Sequence, residues 1–299
     1  MQTVGIIGIG DMGSGLAKNL INAGYAVRGH DPLPTRMADF TAMGGIACTN
    51  AAEVGQGSEA VLIMVMNGVQ VKSVIFGDGD DAGLVSTMAP GTTILITATI
   101  KPREAREIAV ALKDHDLHLI DSPVSGGRPG AQGGTLTLMA SGTDAAFAAA
   151  KGPMQAISGT IHRVGTEIGE GQTVKACLQS LIGTIFTGAF EATALAAKAG
   201  VSGQVLYDVF STSAAGCGIT KAAIENVMDR KFEGTGSRID TMHKDLTISL
   251  DLAMELGVPL FSASTAMQLF QAGRTKYPTG DNQVVARISE DIVGTGLKR

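Results

Sequence analysis

The sequence contains little cysteine, no tryptophan and no surplus of positive charge. Its three cysteines, Cys48, Cys177 and Cys217, lie far apart and form neither a Cys-x-x-Cys pair nor a zinc-binding cluster. Lys and Arg number 23 against 28 Asp and Glu, which argues against a nucleic-acid partner, because phosphate binding requires a basic surface. We therefore expect reduced thiols, a cytoplasmic location, no bound metal and no nucleic acid.

No hydrophobic run is long enough to predict a membrane span. The apolar first nine residues lack a basic leader and are soon followed by Asp11. The apolar stretch from Leu181 to Ala197 contains Thr184, Thr187 and Glu191, which a membrane-spanning helix of about 20 apolar residues disfavours. We expect no membrane anchor, and a hydrophobic content of 44% that supplies a sizeable core.

Glycine is abundant, at 40 of 299 residues, but has no triplet period and no accompanying surplus of proline. This excludes collagen and indicates a backbone that bends around a ligand. The first half also alternates short β-type runs with helical patterns, which is typical of a doubly wound parallel sheet covered on both faces. The predicted strands are 4–9, 26–30, 60–66, 93–97, 117–121, 136–140 and 160–164, and the predicted helices are 12–23, 34–42, 69–75, 102–113 and 144–157.

Strand signals almost vanish after Gly165. Residues 171–198 predict one long helix that is apolar nearly all round, and we expect such a helix to be buried against several others. Further helices are predicted at 203–212, 219–229, 241–256 and 262–273. The sequence thus predicts a mostly parallel α/β domain at 1–165 and an all-helical domain at 166–299.

A glycine-rich loop, Gly8-Ile9-Gly10-Asp11-Met12-Gly13, follows the first predicted strand and opens the first predicted helix. This context is typical of dinucleotide binding, because the glycines allow a tight turn and close approach of a pyrophosphate to the helix N-terminus. Asp31 ends the second strand, about 20 residues later, where a carboxylate can bind an adenosine ribose. We predict a nicotinamide dinucleotide; a structural turn or a flavin is the alternative.

The charge of Asp31 favours NAD over NADP, because a carboxylate repels a 2'-phosphate. No arginine follows until Arg36, while Arg28 on the strand itself leaves NADP as an alternative.

A second glycine cluster includes Ser125, Gly126 and Gly127 and follows the strand that ends at Asp121. Consecutive N–H groups beside residues without side chains can bind a carboxylate, and the carboxyl edge of an open sheet is where ligands bind. A simple turn is the alternative.

Lys175 and Gln179 lie four residues apart, on one face of the long predicted helix. Burial should lower the pKa of Lys175 toward neutrality, which suits a group that exchanges protons at cellular pH, whereas a lysine that reaches solvent is the alternative. The apolar neighbours expected to bury it are Val174, Cys177, Leu178 and Leu181.

Four motifs, in order along nearly the whole chain, resemble those of the β-hydroxyacid dehydrogenase family, which includes 3-hydroxyisobutyrate dehydrogenase, tartronate semialdehyde reductase and L-threonate dehydrogenase. They are residues 8–20, 121–136, 169–179 and Lys244-Asp245-Leu246. The resemblance implies a Rossmann-type domain, a long interdomain helix and a helical domain that makes dimer contacts, although it does not decide between a homodimer and a homotetramer.

The resemblance also implies roles for individual residues. Lys175 would be the catalytic acid/base, Ser125, Gly126 and Gly127 would hold the substrate carboxylate, and Lys244 would close the site near the nicotinamide. Val65, Met66 and Thr99 would line the cofactor cleft. The chain departs from many members where Leu178 and Gln179 replace an asparagine pair, and where Arg128 follows the glycine pair. Gln179 can still bind a substrate hydroxyl, but these changes leave the named substrate open.

We therefore expect an NAD-dependent, reversible oxidation of a small 3-hydroxy acid, such as threonate, glycerate or 3-hydroxyisobutyrate. An imine or semialdehyde reductase is the rival enzyme, and Lys175 argues against the imine-reducing relatives. A non-catalytic NAD(H)-sensing protein is the rival outside enzymes. A serine hydrolase is disfavoured, because no Gly-x-Ser-x-Gly motif surrounds Ser125.

Overall fold

The computed structural model describes residues 2–79 and 81–299. The strands are β1 Thr3–Ile7, β2 Ala26–His30, β3 Ile46–Ala47, β4 Ala60–Ile63, β5 Gly77–Asp78, β6 Asp81–Ala82, β7 Thr93–Ile96, β8 His118–Asp121, β9 Val124–Ser125, β10 Leu136–Ser141 and β11 Ser158–Gly165. The helices are α1 Gly13–Asn22, α2 Pro34–Ala42, α3 Ala51–Gly55, α4 Gly68–Phe76, α5 Pro102–Ala111, α6 Gly127–Gly133, α7 Asp144–Ile157, α8 Glu170–Lys198, α9 Gly203–Thr212, α10 Gly218–Met228, α11 Ile239–Leu256, α12 Phe261–Lys276 and α13 Val284–Val293.

The chain divides into two compact units, Met1–Lys175 and Ala176–Arg299. The sheet of the first unit has the order β11-β10-β8-β7-β4-β1-β2-β3, and β9 pairs with β10. The six strands from β3 to β8 in this order pair in parallel, whereas β10 runs antiparallel to β8. Because the strand order reverses beside β1, the carboxyl ends of β1 and β4 form the crevice where such sheets bind ligands.

Both faces of this sheet are covered. Successive residues of a strand point to opposite faces, and Ile6 and Ile7 of β1 accordingly join different hydrophobic clusters. Leu16 and Leu20 of α1 pack in the cluster of Ile6, while Ile108 of α5 packs in that of Ile7. The prediction of a doubly wound, mostly parallel α/β fold is confirmed.

Several predicted boundaries are wrong for local reasons. The first strand ends at Ile7 rather than Ile9, because Gly8 turns the chain with a φ of +88°. The strand predicted to reach Met66 ends at Ile63, where it leaves the sheet. The sequence also did not predict α3, α6, α13 or the short strands β3, β5, β6 and β9.

The second unit contains helices α9 to α13 and the larger part of α8. Phe186 and Phe190 of α8 lie in its core, with ring centroids 5.6 Å apart, and Phe270 of α12 packs edge-on against Phe186. Helix α8 is long and apolar enough to cross a membrane, but the core helix of a soluble protein satisfies the same criteria. Its buried aromatic residues fit that second interpretation.

The expectation that α8 is buried against several other helices holds for only part of its surface. Only 44% of its most apolar window is buried, and Leu181 and Leu195 are exposed on it. Apolar composition alone did not distinguish its core face from its surface face.

Candidate active site

The glycine-rich loop lies where β1 passes into α1. A side chain at Gly8 would place its Cβ 2.3 Å from the carbonyl oxygen of Met64, and one at Gly13 would place it 1.8 Å from that of Gly8. Gly10 meets no such obstacle, since its nearest neighbour is the Arg36 guanidinium at 3.6 Å. Gly8 and Gly13 are therefore required by the fold itself, whereas Gly10 leaves space above the backbone.

The loop also carries the start of α1. Ser14 N–H donates to Gly10 O at 2.9 Å, so the N–H groups of Asp11, Met12 and Gly13 precede the first hydrogen bonds of the helix. A helix leaves such groups available to an anion. The residues fit the pyrophosphate of a dinucleotide at this position.

Asp31, at the end of β2, is buried beside this loop. Its Oδ2 accepts the Ile9 N–H at 2.9 Å and its Oδ1 accepts the Leu33 N–H at 3.0 Å. Arg36 reaches it from α2, with Nη1 3.2 Å from Oδ2. Arg36, five residues after Asp31 in the sequence, thus forms an ion pair with it. Arg28 instead donates to the carbonyl oxygen of Glu53.

The serine–glycine loop adopts a short strand and a helix rather than an open nest. Val124 and Ser125 form β9, Gly126 and Gly127 have φ of +129° and +59°, and α6 begins at Gly127. Helix α6 packs on α1, where a Cβ on Gly15 would lie 2.6 Å from the backbone of Ala131. This packing places the proposed substrate loop next to the helix that follows the cofactor loop.

Lys175 is buried at 6% exposure. Its Nζ donates to the carbonyl oxygen of Val124 at 2.8 Å, directly before Ser125. The alternative of a lysine that reaches solvent is therefore excluded. Of the apolar neighbours predicted to bury it, Val174, Cys177 and Leu181 are themselves exposed.

Asp121 and Gln172 form a buried pair to which the sequence analysis assigned no role. Asp121 Oδ2 accepts the N–H groups of Gly169 and Gln172 at 3.0 Å each, and Gln172 Nε2 donates to Oδ1 at 2.8 Å. Burial raises the pKa of Asp121 to about 6, although these hydrogen bonds oppose the rise. In the sequence, this pair could have been noticed from a carboxylate at the end of a predicted strand and a glutamine in an otherwise apolar helix.

In the second unit, Asp245 joins two predicted substrate-binding residues. Gln179 Nε2 donates to Asp245 Oδ2 at 2.5 Å, and Lys244 Nζ lies 2.9 Å from Asp245 Oδ1. Gln179 and Asp245 are buried, while Lys244 is partly exposed. The amide nitrogen of Gln179 already donates to a carboxylate. A hydroxyl group that binds Gln179 would therefore donate to its carbonyl oxygen.

The remaining predicted residues follow strand ends of the first unit. Val65 and Met66 follow β4 after one intervening residue, the first half-buried and the second exposed. Thr99 lies after β7 and is half-buried between Ala98 and Ile100. Arg128 is exposed in the first turn of α6.

Comparisons with known proteins identify the family of the chain. The family model for the NAD binding domain of 6-phosphogluconate dehydrogenase matches residues 3–165, and the model for the NAD-binding region of NADP-dependent 3-hydroxyisobutyrate dehydrogenase matches residues 169–289. L-threonate dehydrogenase of Escherichia coli (strain K12) is 37% identical over 99% of this chain and 97% of that protein. NAD-dependent L-serine dehydrogenase of Pseudomonas aeruginosa is 30% identical over 98% of this chain and 100% of that protein.

A solved structure gives the same result. The crystal structure of 3-hydroxyisobutyrate dehydrogenase from Salmonella typhimurium matches with a TM-score of 0.88 and 35% identity, over 96% of this chain and 100% of that one. The chain therefore belongs to the β-hydroxyacid dehydrogenase family, whose members are NAD(P)-dependent oxidoreductases that act on hydroxyl groups.

Proposed function

We propose that this chain uses NAD to oxidise a small 3-hydroxy acid that carries additional hydroxyl groups, with Lys175 as the general acid/base. The observation that carries the proposal is the buried amino group of Lys175, held 2.8 Å from Val124 O beside the serine–glycine loop. A buried amine fixed at a ligand-binding sheet edge is a suitable proton acceptor.

The residues proposed to hold the cofactor are Gly8, Ile9, Gly10, Asp11, Met12, Gly13 and Asp31, with Val65, Met66, Thr99 and Lys244 toward the nicotinamide. When bound, NAD supplies the acceptor for the hydride from the hydroxyl-bearing carbon. The space above Gly10 and the carboxylate of Asp31 support NAD as the cofactor.

In the oxidation, Lys175 in its neutral form accepts the proton of the substrate hydroxyl. In the reverse direction its ammonium form donates that proton to the developing alkoxide and stabilises the negative charge. The hydrogen bond to Val124 O fixes the position of Nζ for both directions.

Ser125, Gly126 and Gly127 are proposed to bind the substrate carboxylate through backbone N–H groups and the serine hydroxyl. Gln179 and Lys244 are proposed as further substrate contacts. The hydrogen bond from Gln179 to Asp245 supports this, because it occupies the amide nitrogen and leaves the carbonyl oxygen of Gln179 as the acceptor for a substrate hydroxyl. The similarity to L-threonate dehydrogenase favours a polyhydroxylated acid over one with a methyl group.

We further propose a cytoplasmic homodimer or homotetramer. Exposed apolar side chains on the helices of the second unit, including Met254 and Phe261, support self-association. The three free cysteines support a reducing compartment.

The first test is the production of NADH, followed by absorbance, with NAD or NADP and a panel of 3-hydroxy acids that differ in hydroxyl count and configuration. We expect turnover of a polyhydroxylated acid with NAD. Lys175→Ala should lower turnover by on the order of 100-fold while the Kd for NADH stays nearly constant. Near wild-type turnover in that variant would exclude the acid/base role.

The same absorbance assay, extended to cyclic imines and semialdehydes with NADH, separates the rival functions. Reduction of cyclic imines or semialdehydes with NADH, without oxidation of any hydroxy acid, would indicate the reductase. Binding of NADH without turnover of any compound would indicate the sensing protein.

A further inference from the structure

The N-terminus of α8 is held by groups from other segments of the first unit. Gly169 and Gln172 donate their N–H groups to Asp121 at the end of β8, and Gly171 N–H donates to Ser141 Oγ at the end of β10, at 3.2 Å. A helix cannot satisfy these first N–H groups within itself, and a carboxylate at this end interacts favourably with the helix dipole. Asp121 therefore caps a helix from which it is separated by almost 50 residues.

The side chain of Gln172 extends this attachment to the segment that follows a third strand, β7. It is fully buried, and its Nε2 donates to Ala98 O at 3.0 Å as well as to Asp121. Its Oε1 accepts the Ile100 N–H at 3.0 Å. Gln172 thus holds the residues on both sides of Thr99 against the start of α8.

Lys175 follows Gln172 by three residues, close to one helical turn. The carbonyl oxygen of Val124 accepts a hydrogen bond from the Lys175 amino group, and Val124 follows Asp121 by three residues. The Asp121–Gln172 pair thus fixes the two chain segments that Lys175 joins. Any shift of the start of α8 against β8 changes the distance between Nζ and the Ser125 loop.

We infer that Asp121 and Gln172 are positioning residues that lock the start of α8 onto the ends of β7 and β8 and so hold Lys175 at its working position. The inference rests on the proposed role of Lys175 as acid/base. Neither residue has a function in proton transfer itself.

The chemistry of the pair supports this role over simple capping. A neutral Ser or Asn caps a helix at less desolvation cost than a carboxylate with 0% exposure. Asp121 instead accepts three hydrogen bonds, two of them along the helix start and one from the side chain that reaches Ala98. Because three donors from the start of α8 bind the two carboxylate oxygens of Asp121, they fix the orientation of the helix start as well as its position.

The test compares Asp121→Asn and Gln172→Met with Glu290→Gln. Glu290 in α13 is a buried carboxylate that pairs with Arg230, so its change to an amide is a matched control for lost stability. We expect the first two variants to lower kcat by about 10-fold or more, because small misplacements of a reacting group are costly. KM and the Kd for NADH should change by less than about 3-fold.

The control should lose thermal stability but keep kcat within about 2-fold of wild type. The inference is overturned if Asp121→Asn and Gln172→Met lose only thermal stability, or if Glu290→Gln lowers kcat equally. Should Asp121→Asn fail to fold, Gln172→Met, which keeps the carboxylate and the side-chain volume, decides.

A second readout does not depend on turnover. Pulse labelling of amines with acetic anhydride, quantified at Lys175 by peptide mass spectrometry, should increase in Asp121→Asn and Gln172→Met and stay constant in Glu290→Gln. If no hydroxy acid is turned over but this change occurs, the proposed function fails and the positioning role stands. If labelling of Lys175 is the same in all variants, the positioning role is wrong.

Discussion

Buried aspartates fix the groups that the proposed chemistry needs. Asp31 holds the backbone of Ile9 in the glycine-rich loop, Asp121 holds the start of α8, and Asp245 holds Gln179. Each carboxylate is at most 4% exposed, so its hydrogen bonds act where water cannot compete. A substitution at any one of these aspartates should therefore disturb the particular group that it holds.

We expect Asp31 and Arg36, which form an ion pair, to set the choice between NAD and NADP. Asp31→Asn removes the negative charge that repels a 2'-phosphate but leaves Arg36 next to it, so the ratio of kcat/KM for NAD over NADP should fall by about 10-fold or more. Steady-state kinetics with both cofactors measure this ratio. The control is the double variant Asp31→Asn with Arg36→Ala, in which the increase in kcat/KM for NADP seen in Asp31→Asn should be lost. An unchanged ratio in Asp31→Asn would show that another residue selects the cofactor.

Asp121 should make stability depend on pH. Its pKa is about 6 in the folded chain against 3.8 for the unperturbed group, so between these values the folded state binds the proton more tightly than the unfolded state. This contribution to stability is present at low pH and is lost as pH rises through 6. Between pH 5 and 7, the free energy of unfolding should fall by about 1 kcal/mol more in wild type than in Asp121→Asn.

Urea denaturation at a series of pH values measures this difference. Parallel profiles for wild type and Asp121→Asn would mean that the buried carboxyl group does not titrate in this range.

At the scale of elements, the turn from β1 into α1 contains Gly8 and Gly13, which the fold requires, and Gly10, which we propose is required for cofactor binding. Gly13→Ala forces a Cβ against Gly8 O and should lower Tm by roughly 5 °C, as overpacking does. Gly10→Ala meets only the movable Arg36 side chain, so its Tm should be unchanged while the Kd for NADH rises about 10-fold. Thermal melts and NADH fluorescence titrations distinguish the two variants, and a reversed pattern would contradict the assignment.

Elements bounded by strong local signals were predictable from the sequence. The strand 26–30 is found as predicted, and the long helix begins one residue earlier than predicted. Helix α6 was missed because its glycines and Pro129 have low helix propensity, and it is instead supported by packing on α1. The Asp121–Gln172 pair was missed because its members lie 51 residues apart, and only the fold brings them together.

At the scale of the whole molecule, the second unit presents more apolar surface than one copy needs. Leu195, Met254, Phe261 and Ile292 are each at least 73% exposed. Burying such side chains between copies would stabilise an oligomer. This surface supports the homo-oligomer proposed above.

Light scattering after gel filtration should therefore give a mass at least twice the 30.6 kDa of one chain. Phe261→Asp should shift the population toward the single chain, because a charge would be buried in the interface. Val110→Asp, on an exposed apolar residue of α5 in the first unit, is the control and should leave the mass unchanged. A monomeric wild type would refute the oligomer.

The boundary between the two units falls inside a continuous helix, between Lys175 and Ala176. Chimeras between relatives that are joined at this boundary would take the first turns of α8 from one parent and the rest from the other, so Lys175 and Gln179 would come from different parents. A junction in the turn at 166–169 keeps α8 intact but separates Asp121 from its partner Gln172. Recombination that preserves both relationships has to transfer Asp121 together with α8, so the cofactor-binding and helical parts are not independently exchangeable modules.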